Sequence, residues 1–167
     1  VDNMFNSLVE TFGDQAVPQP SLATEWSSDP TGTEWTFKLR ESVLFHDGTP
    51  FDADAVKLSI DRTLFPDHPY YFGPYPFPPF FLASVQEIQV VDPLTVKFIL
   101  KGPDPTFIGN LCWTTSAIVS PAAIKEFGAD IETHPVGTGP FKFVTWEKGK
   151  RLVMEKNPDY WGGAPDA

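Results

Sequence analysis

The sequence has little with which to cross-link or chelate. Its one cysteine, Cys112, has no partner for an internal disulfide, and no cysteine cluster exists to hold a structural metal. Cysteine poverty suits a cytoplasmic protein and an exported bacterial one equally. Positive charge is scarce: 12 Lys and Arg stand against 22 Asp and Glu, a net charge of -10. A phosphate backbone repels such a surface, which argues against a nucleic-acid partner. No apolar run approaches the ~20 residues that cross a bilayer. No secretory leader opens the chain, so the address of an exported protein would lie upstream of Val1. Catalytic signatures are missing too. There is no G-x-S-x-G elbow, no H-E-x-x-H and no evident Ser/His/Asp constellation.

What is present is a globular composition. Of 167 residues, 41% are hydrophobic and 14% aromatic, enough to argue against disorder and to build one core without staples. Val1, Met4, Phe5, Leu8, Val9 and Phe12 recur at helical spacing and predict an amphipathic helix ended by Gly13. A Pro-rich connection, VPQPSLATEW, follows. From Glu34 to Arg40 the residues alternate, with Trp35, Phe37 and Leu39 on one face, as in a half-buried strand. DADAVKLSIDRTLF reads as a helix with Asp52 as N-cap and Asp54 at the positive end of its dipole. Two strands are expected near 85–91 and 94–101, split by Asp92-Pro93. A short helix is expected from Ser120-Pro121 to Gly128. Strands at 141–146 and 152–155 flank a turn at Lys148-Gly149. Mixed helix and mostly antiparallel strand means an α/β fold with α+β character.

Three stretches invite a functional reading. In LFHDGTPFDADAV, a His and three Asp fall close together. Asp47-Gly48 is a turn dipeptide and Asp52 a cap, so every polar residue but His46 has a local backbone role, and His46 reads as a solvated loop position. The other histidines, His68 and His134, lie in unrelated Pro-rich loops, so no metal or catalytic site is assigned. In HPVGTGPF, glycines around Thr138 could cradle an anion on backbone N–H groups. The phosphate signatures require a following Lys-Ser/Thr or a third glycine opening a helix, and neither is there. Glycines that let the chain turn sharply between packed units explain the motif better. The third stretch holds seven aromatics in twelve residues, Tyr70 to Phe81, interrupted by four prolines. It is either a lid over the core or a ligand wall, since small-molecule pockets are largely apolar and aromatic.

PSLATEW, WTFKLRESVLFHDGTPFDADAVKLSIDR and HPVGTGPFKFVTWEKGKRLVMEKNPDYWGGAP, in this order and spacing, resemble the bacterial extracellular solute-binding proteins of family 5. These are the peptide-, dipeptide- and nickel-binding components of ABC importers. The resemblance implies a larger, three-lobed periplasmic-binding-protein-like clamshell. Residues 1–15 and 137–167 would then belong to the first lobe and 16–136 to an inserted second lobe. The opposing ligand-binding lobe and any signal or lipoprotein segment would lie outside this sequence. It implies a binder without catalysis or cofactor. The solute would be a di- or oligopeptide or a similar small organic molecule, delivered to a membrane permease from a periplasmic or membrane-anchored extracytoplasmic position.

Two segments are expected to reach the cleft. One is the aromatic run, with Tyr70, Tyr71, Tyr75, Phe80 and Phe81; the other is Cys112 to Thr115, with Trp113 and Thr114. Nickel-type members place a basic residue near the second segment to hold an anionic chelator. Here Trp113 and Thr114 stand there without an Arg, which favours an organic solute over a nickel or metal-chelate ligand. The effector-sensing domain of a regulator is a further alternative, and it would need a basic DNA-binding module that the sequence does not contain. An enzyme working through the many carboxylates is another.

Overall fold

The computed structural model describes residues 3–11, 17–163 and 165. Its core is built on alternation. Strands β3 (Ala23–Ser28), β4 (Glu34–Leu39), β5 (Val85–Asp92) and β6 (Thr95–Leu100) form one antiparallel sheet in the order β3-β4-β6-β5. Trp35 pairs with Phe98 and Phe37 with Val96, so the apolar sets of β4 and β6 share a face. Phe37, Val96 and Phe98 are fully buried there. Phe107, from the short helix α3 (Phe107–Leu111), packs against these rings, tilted to Phe98 with ring centres 5.5 Å apart and edge-on to Phe37 at 6.5 Å.

Helix α1 (Ala53–Leu64) covers this face of the sheet. Its start is the expected one: Asp52 is extended, and its carboxylate accepts from the Ala55 N–H at 2.9 Å, a cap worth about 1 kcal/mol. Val56 and Ile60 are buried, and Phe65 ends the helix in an extended conformation. Between α1 and β5 the Pro-rich stretch is mostly irregular. It yields one helical turn, α2 (Pro78–Phe81), with proline at the first positions, where a missing N–H costs nothing. Helix α4 (Pro121–Phe127) is capped by Ser120 and stops at Gly128, whose φ of 54° suits glycine. It builds a second small core from Ala123, Ile124 and Ile131. The hairpin of β7 (Phe141–Glu147) and β8 (Arg151–Lys156) turns through Gly149 at φ 77°.

The helix expected over 1–12 is overturned where the chain is described; Val1, Phe12 and Gly13 lie outside the described residues. Asn3 and Met4 form a turn, and β1 (Val9–Glu10) pairs with β2 (Gln19–Pro20). The backbone of this segment is claimed by other parts of the chain. Ile118 N–H donates to the Asn6 carbonyl at 3.0 Å, Leu22 N–H to that of Ser7 at 3.2 Å and Ala23 N–H to that of Leu8 at 2.8 Å. A helix would withdraw those carbonyls into its own ladder. Three members of the stripe are nevertheless inside: Met4, Leu8 and Val9 are buried. VPQPSLATEW, read as a connection, contains β2 and the start of β3. That edge strand turns only Ala23 and Trp26 inward, too little to show as alternation.

The tight turn between β3 and β4 is organised by Asp29. Its carboxylate accepts from the backbone N–H groups of Thr33 and Glu34, both at 2.9 Å, and from the hydroxyl of Thr31. The Thr31 hydroxyl bond, followed by the Glu34 N–H, holds the Asp29 carboxyl at a pKa of about 2.

Candidate functional site

The LFHDGTPFDADAV stretch is a turn and a cap, but it also ties distant parts together. The Asp47 carboxylate accepts from the Thr49 N–H at 2.9 Å and from the Ser120 hydroxyl at 2.5 Å. Burial works to raise its pKa; the hydroxyls of Ser120 and Thr49 outweigh that and leave it below the ordinary carboxylate value.

His46 is not a solvated loop residue. It is half-buried, one ring nitrogen (Nε2) lies 2.9 Å from the Gly139 carbonyl, and Nδ1 accepts from the Gly137 N–H at 3.3 Å. Only the neutral ring with its proton on Nε2 makes both bonds. The signal missed was pairing across ninety residues, which no local pattern reveals. Burial pushes the His46 pKa below 6.5, with the Lys142 charge adding to the effect and the Gly139 bond and Asp47 opposing it. The neutral form is the one the fold favours. This stability is therefore complete above pH 6.5 and is lost as pH falls through the lowered value. His46 is expected to titrate below 6.5 by NMR. The wild-type denaturant midpoint should fall more steeply on acidification than that of His46→Ala; parallel curves would remove His46 from the account.

HPVGTGPF is no anion cradle. The Gly139 N–H donates to the Met4 carbonyl at 3.0 Å, and the Gly137 N–H is taken by His46. Neither glycine serves by positive φ. They serve because the 3–5 segment lies on top of them: a Cβ on Gly139 would sit 2.6 Å from the Met4 carbonyl carbon. Thr138, fully buried between them, donates to the Asn6 side-chain oxygen at 3.1 Å. Among the described residues no group of three or more His, Cys, Asp or Glu could hold a metal ion.

The aromatic run divides in two. Phe81 stacks on Trp113 with ring centres 5.3 Å apart and planes 19° from parallel, and Phe80 meets Phe81 edge-on at 5.3 Å. Phe80 is 77% exposed and Trp113 56% exposed, a large apolar surface to leave open. Tyr70, Tyr71 and Tyr75 lie elsewhere. Tyr70 packs with Phe72 against the small core of α4. Tyr75 meets Tyr71 edge-on at 5.4 Å, and its hydroxyl accepts from Arg62 at 3.0 Å.

Trp113 and Thr114 line a cavity of about 800 Å³ that opens to solvent. Residues from 5–11 and 109–117 meet around it, joined by Pro18, Pro140 and Tyr160. Asn6, Ser7, Glu10, Cys112 and Tyr160 supply its polar wall. Sequence reasoning missed Asn6, Ser7 and Glu10 because it placed them on a helix. Tyr160 stood within the NPDYWGGAP stretch but carried no local mark of a site. Glu10 is held in place: its Oε1 accepts from the Asn6 side-chain amide and the Ser7 N–H, both at 3.1 Å. Burial raises the pKa of the Cys112 thiol, and the Glu10 charge adds to it. Burial likewise raises that of the Tyr160 phenol, against a bond to Asn6; Glu10 adds to the rise and Arg40 opposes it. Both groups stay neutral, so the cavity wall offers hydrogen bonds, aromatic surface and one carboxylate.

Such an arrangement can hold a small molecule; among the described residues that line it, no nucleophile is hydrogen-bonded to a general base. This fold recurs within solved binding proteins. An ABC transporter-associated periplasmic binding protein, DppA from Helicobacter pylori in complex with the peptide STSA, superposes with a TM-score of 0.86 at 31% identity over 97% of this chain and 35% of that one. The nickel ABC transporter structure from Bacillus halodurans gives 0.79 at 31% identity over 98% and 31%. The glutathione-binding protein GsiB of Pectobacterium atrosepticum is 38% identical over 140 residues, 84% of this chain and 26% of that protein. The family described as "Bacterial extracellular solute-binding proteins, family 5 Middle" matches residues 17–167. The chain belongs to the family 5 solute-binding proteins. It spans about a quarter of the length of the curated relatives it matches. These relatives are binding and transport proteins by name, not enzymes.

Proposed function

We propose that this chain is part of the substrate-binding component of a bacterial ABC importer, capturing a di- or oligopeptide or a similar small organic solute and passing it to a membrane permease. The observation that carries the reading is the open cavity of about 800 Å³ with Trp113 and Thr114 in its wall. Its size suits a small peptide, and its mix of aromatic surface with a few fixed polar groups suits orientation without chemistry. Phe81 and Phe80 extend the aromatic wall beyond Trp113. An open face of this kind is completed by an opposing lobe that closes on the ligand, and closure marks the loaded state for the permease. In this reading residues 1–15 and 137–167 form part of a first lobe and 16–136 an inserted second lobe. The protein works outside the cytoplasm, periplasmic or anchored to the membrane. The contact of Asn3 and Met4 with Gly139 and Phe141 supports the pairing of the two flanks. No Lys, Arg or His lines the cavity among the described residues, which disfavours an anionic metal chelate.

Calorimetry with a peptide mixture, on the protein at the full length its gene encodes, tests the reading, with native mass spectrometry reporting any co-purified solute. Trp113→Ala and Phe81→Ala are each expected to weaken binding tenfold or more. Tyr70→Ala, Tyr71→Ala and Tyr75→Ala decide whether the first half of the aromatic run also touches solute. Unchanged affinity in both Trp113→Ala and Phe81→Ala would return that wall to a packing role.

A further inference from the structure

We propose that Glu10 makes this cavity selective for solutes carrying a positively charged nitrogen, an ammonium or a guanidinium, held by its carboxylate. The inference rests on the solute-binding reading above and narrows the class of solute. Among the described residues that line the cavity, Glu10 is the one acidic or basic side chain. It belongs to none of the four ion pairs found among the described residues. Arg40, whose charge is also felt at Tyr160, is stacked on Trp161 at 4.3 Å, donates to the Ser21 carbonyl at 3.0 Å and stays out of the lining.

The carboxylate is pre-positioned. Strand pairing fixes its backbone opposite Gln19, and the two bonds to Oε1 fix its side chain. Little side-chain entropy remains to be lost when a ligand arrives. Its other oxygen takes no hydrogen bond from a described residue, and an ionised carboxylate has room for several more donors. Cys112 and Tyr160 share the cavity wall with it. A cationic donor here gains a charge-assisted hydrogen bond in a partly water-excluded site. A negatively charged group placed beside Glu10 is repelled by its carboxylate.

Glu10 also clips Asn6 and Ser7 together, and a purely structural clip would explain those two bonds. Glutamine separates the roles: its carbonyl oxygen still accepts from Asn6 and Ser7, and its charge is gone. Calorimetry uses three probes, Ala-Lys, Ala-Nε-acetyl-lysine and N-acetyl-Ala-Lys, with the full-length wild type, Glu10→Gln and Thr11→Lys. Thr11 is an exposed residue of the cavity rim. The wild type is expected to lose tenfold or more in affinity when one of the two nitrogens is acetylated. Glu10→Gln should erase that preference while its ligand-free melting temperature stays near the wild-type value. Thr11→Lys should weaken Ala-Lys binding and keeps the test open if the glutamine variant fails to fold. Equal wild-type affinity for all three probes overturns the inference and leaves solute binding standing. The inference fails in the same way if folded Glu10→Gln keeps the wild-type preference, or if Thr11→Lys binds Ala-Lys as the wild type does. A wild type that binds none of the three overturns the peptide reading, and this inference with it.

Discussion

Gly139→Ala is expected to destabilise the protein by about 3 kcal/mol, from a single added methyl group. The new Cβ would lie 2.6 Å from the Met4 carbonyl carbon and 2.8 Å from the Asn3 oxygen. Both are backbone atoms, which cannot swing aside as a side chain does. Relief requires the 3–5 segment to lift. That motion lengthens the bond from the Gly139 N–H to Met4 and the one from the Phe141 N–H to Asn3, now 3.0 and 2.9 Å. Gly102→Ala is the matched control, because its Cβ meets nothing within 4 Å and its φ is not positive. The control should shift the urea midpoint by no more than a surface substitution does, within about 0.5 kcal/mol. Equal midpoints for the two variants would show that the 3–5 segment is not seated on the crossover.

Phe98→Ala is expected to cost about 3–5 kcal/mol, the range for emptying a large buried aromatic site. Phe98 is fully buried, and its ring centre lies 5.4 Å from that of Phe37 and 5.5 Å from that of Phe107. Three rings from β4, β6 and α3 meet there, and the removed ring leaves a void that two rigid neighbours fill poorly. Phe80→Ala removes the same ring from a position 77% exposed and should stay within about 0.5 kcal/mol. Thermal or urea unfolding of the two variants compares a core ring with a surface ring. A small loss at Phe98 would mean that the sheet face is loosely packed.

Much of the fold was legible locally. Asp52 and Ser120 are caps whose job is finished within three residues, so composition alone places them. The alternation of β4 and of β6 is read off because one face is buried and the other is not. The turn at Gly149 needs only glycine's freedom at positive φ. Where the sequence misled, the deciding partner was remote. The Met4, Leu8 and Val9 stripe has helical spacing, and it is buried as spacing demands; but the carbonyls of residues 6–8 bond to Leu22, Ala23 and Ile118, and that choice is invisible until those strands arrive.

The candidate site follows the same division. The sequence by itself determined the family, the caps, three of the four strands of the central sheet and the aromatic-rich stretch, because each rests on near neighbours in the chain or on a long ordered motif. Tertiary structure alone decided that Trp113 stacks on Phe81, while Tyr70 and Tyr75 turn away to pack with Phe72 and Arg62. It alone decided that His46 is clamped to Gly137 and Gly139, and that Glu10, Cys112 and Tyr160 surround one cavity. The physical reason is reach. Backbone propensity and capping act over three or four residues, whereas a cavity wall is assembled from groups about a hundred residues apart in the chain, brought together only when the core between them is packed.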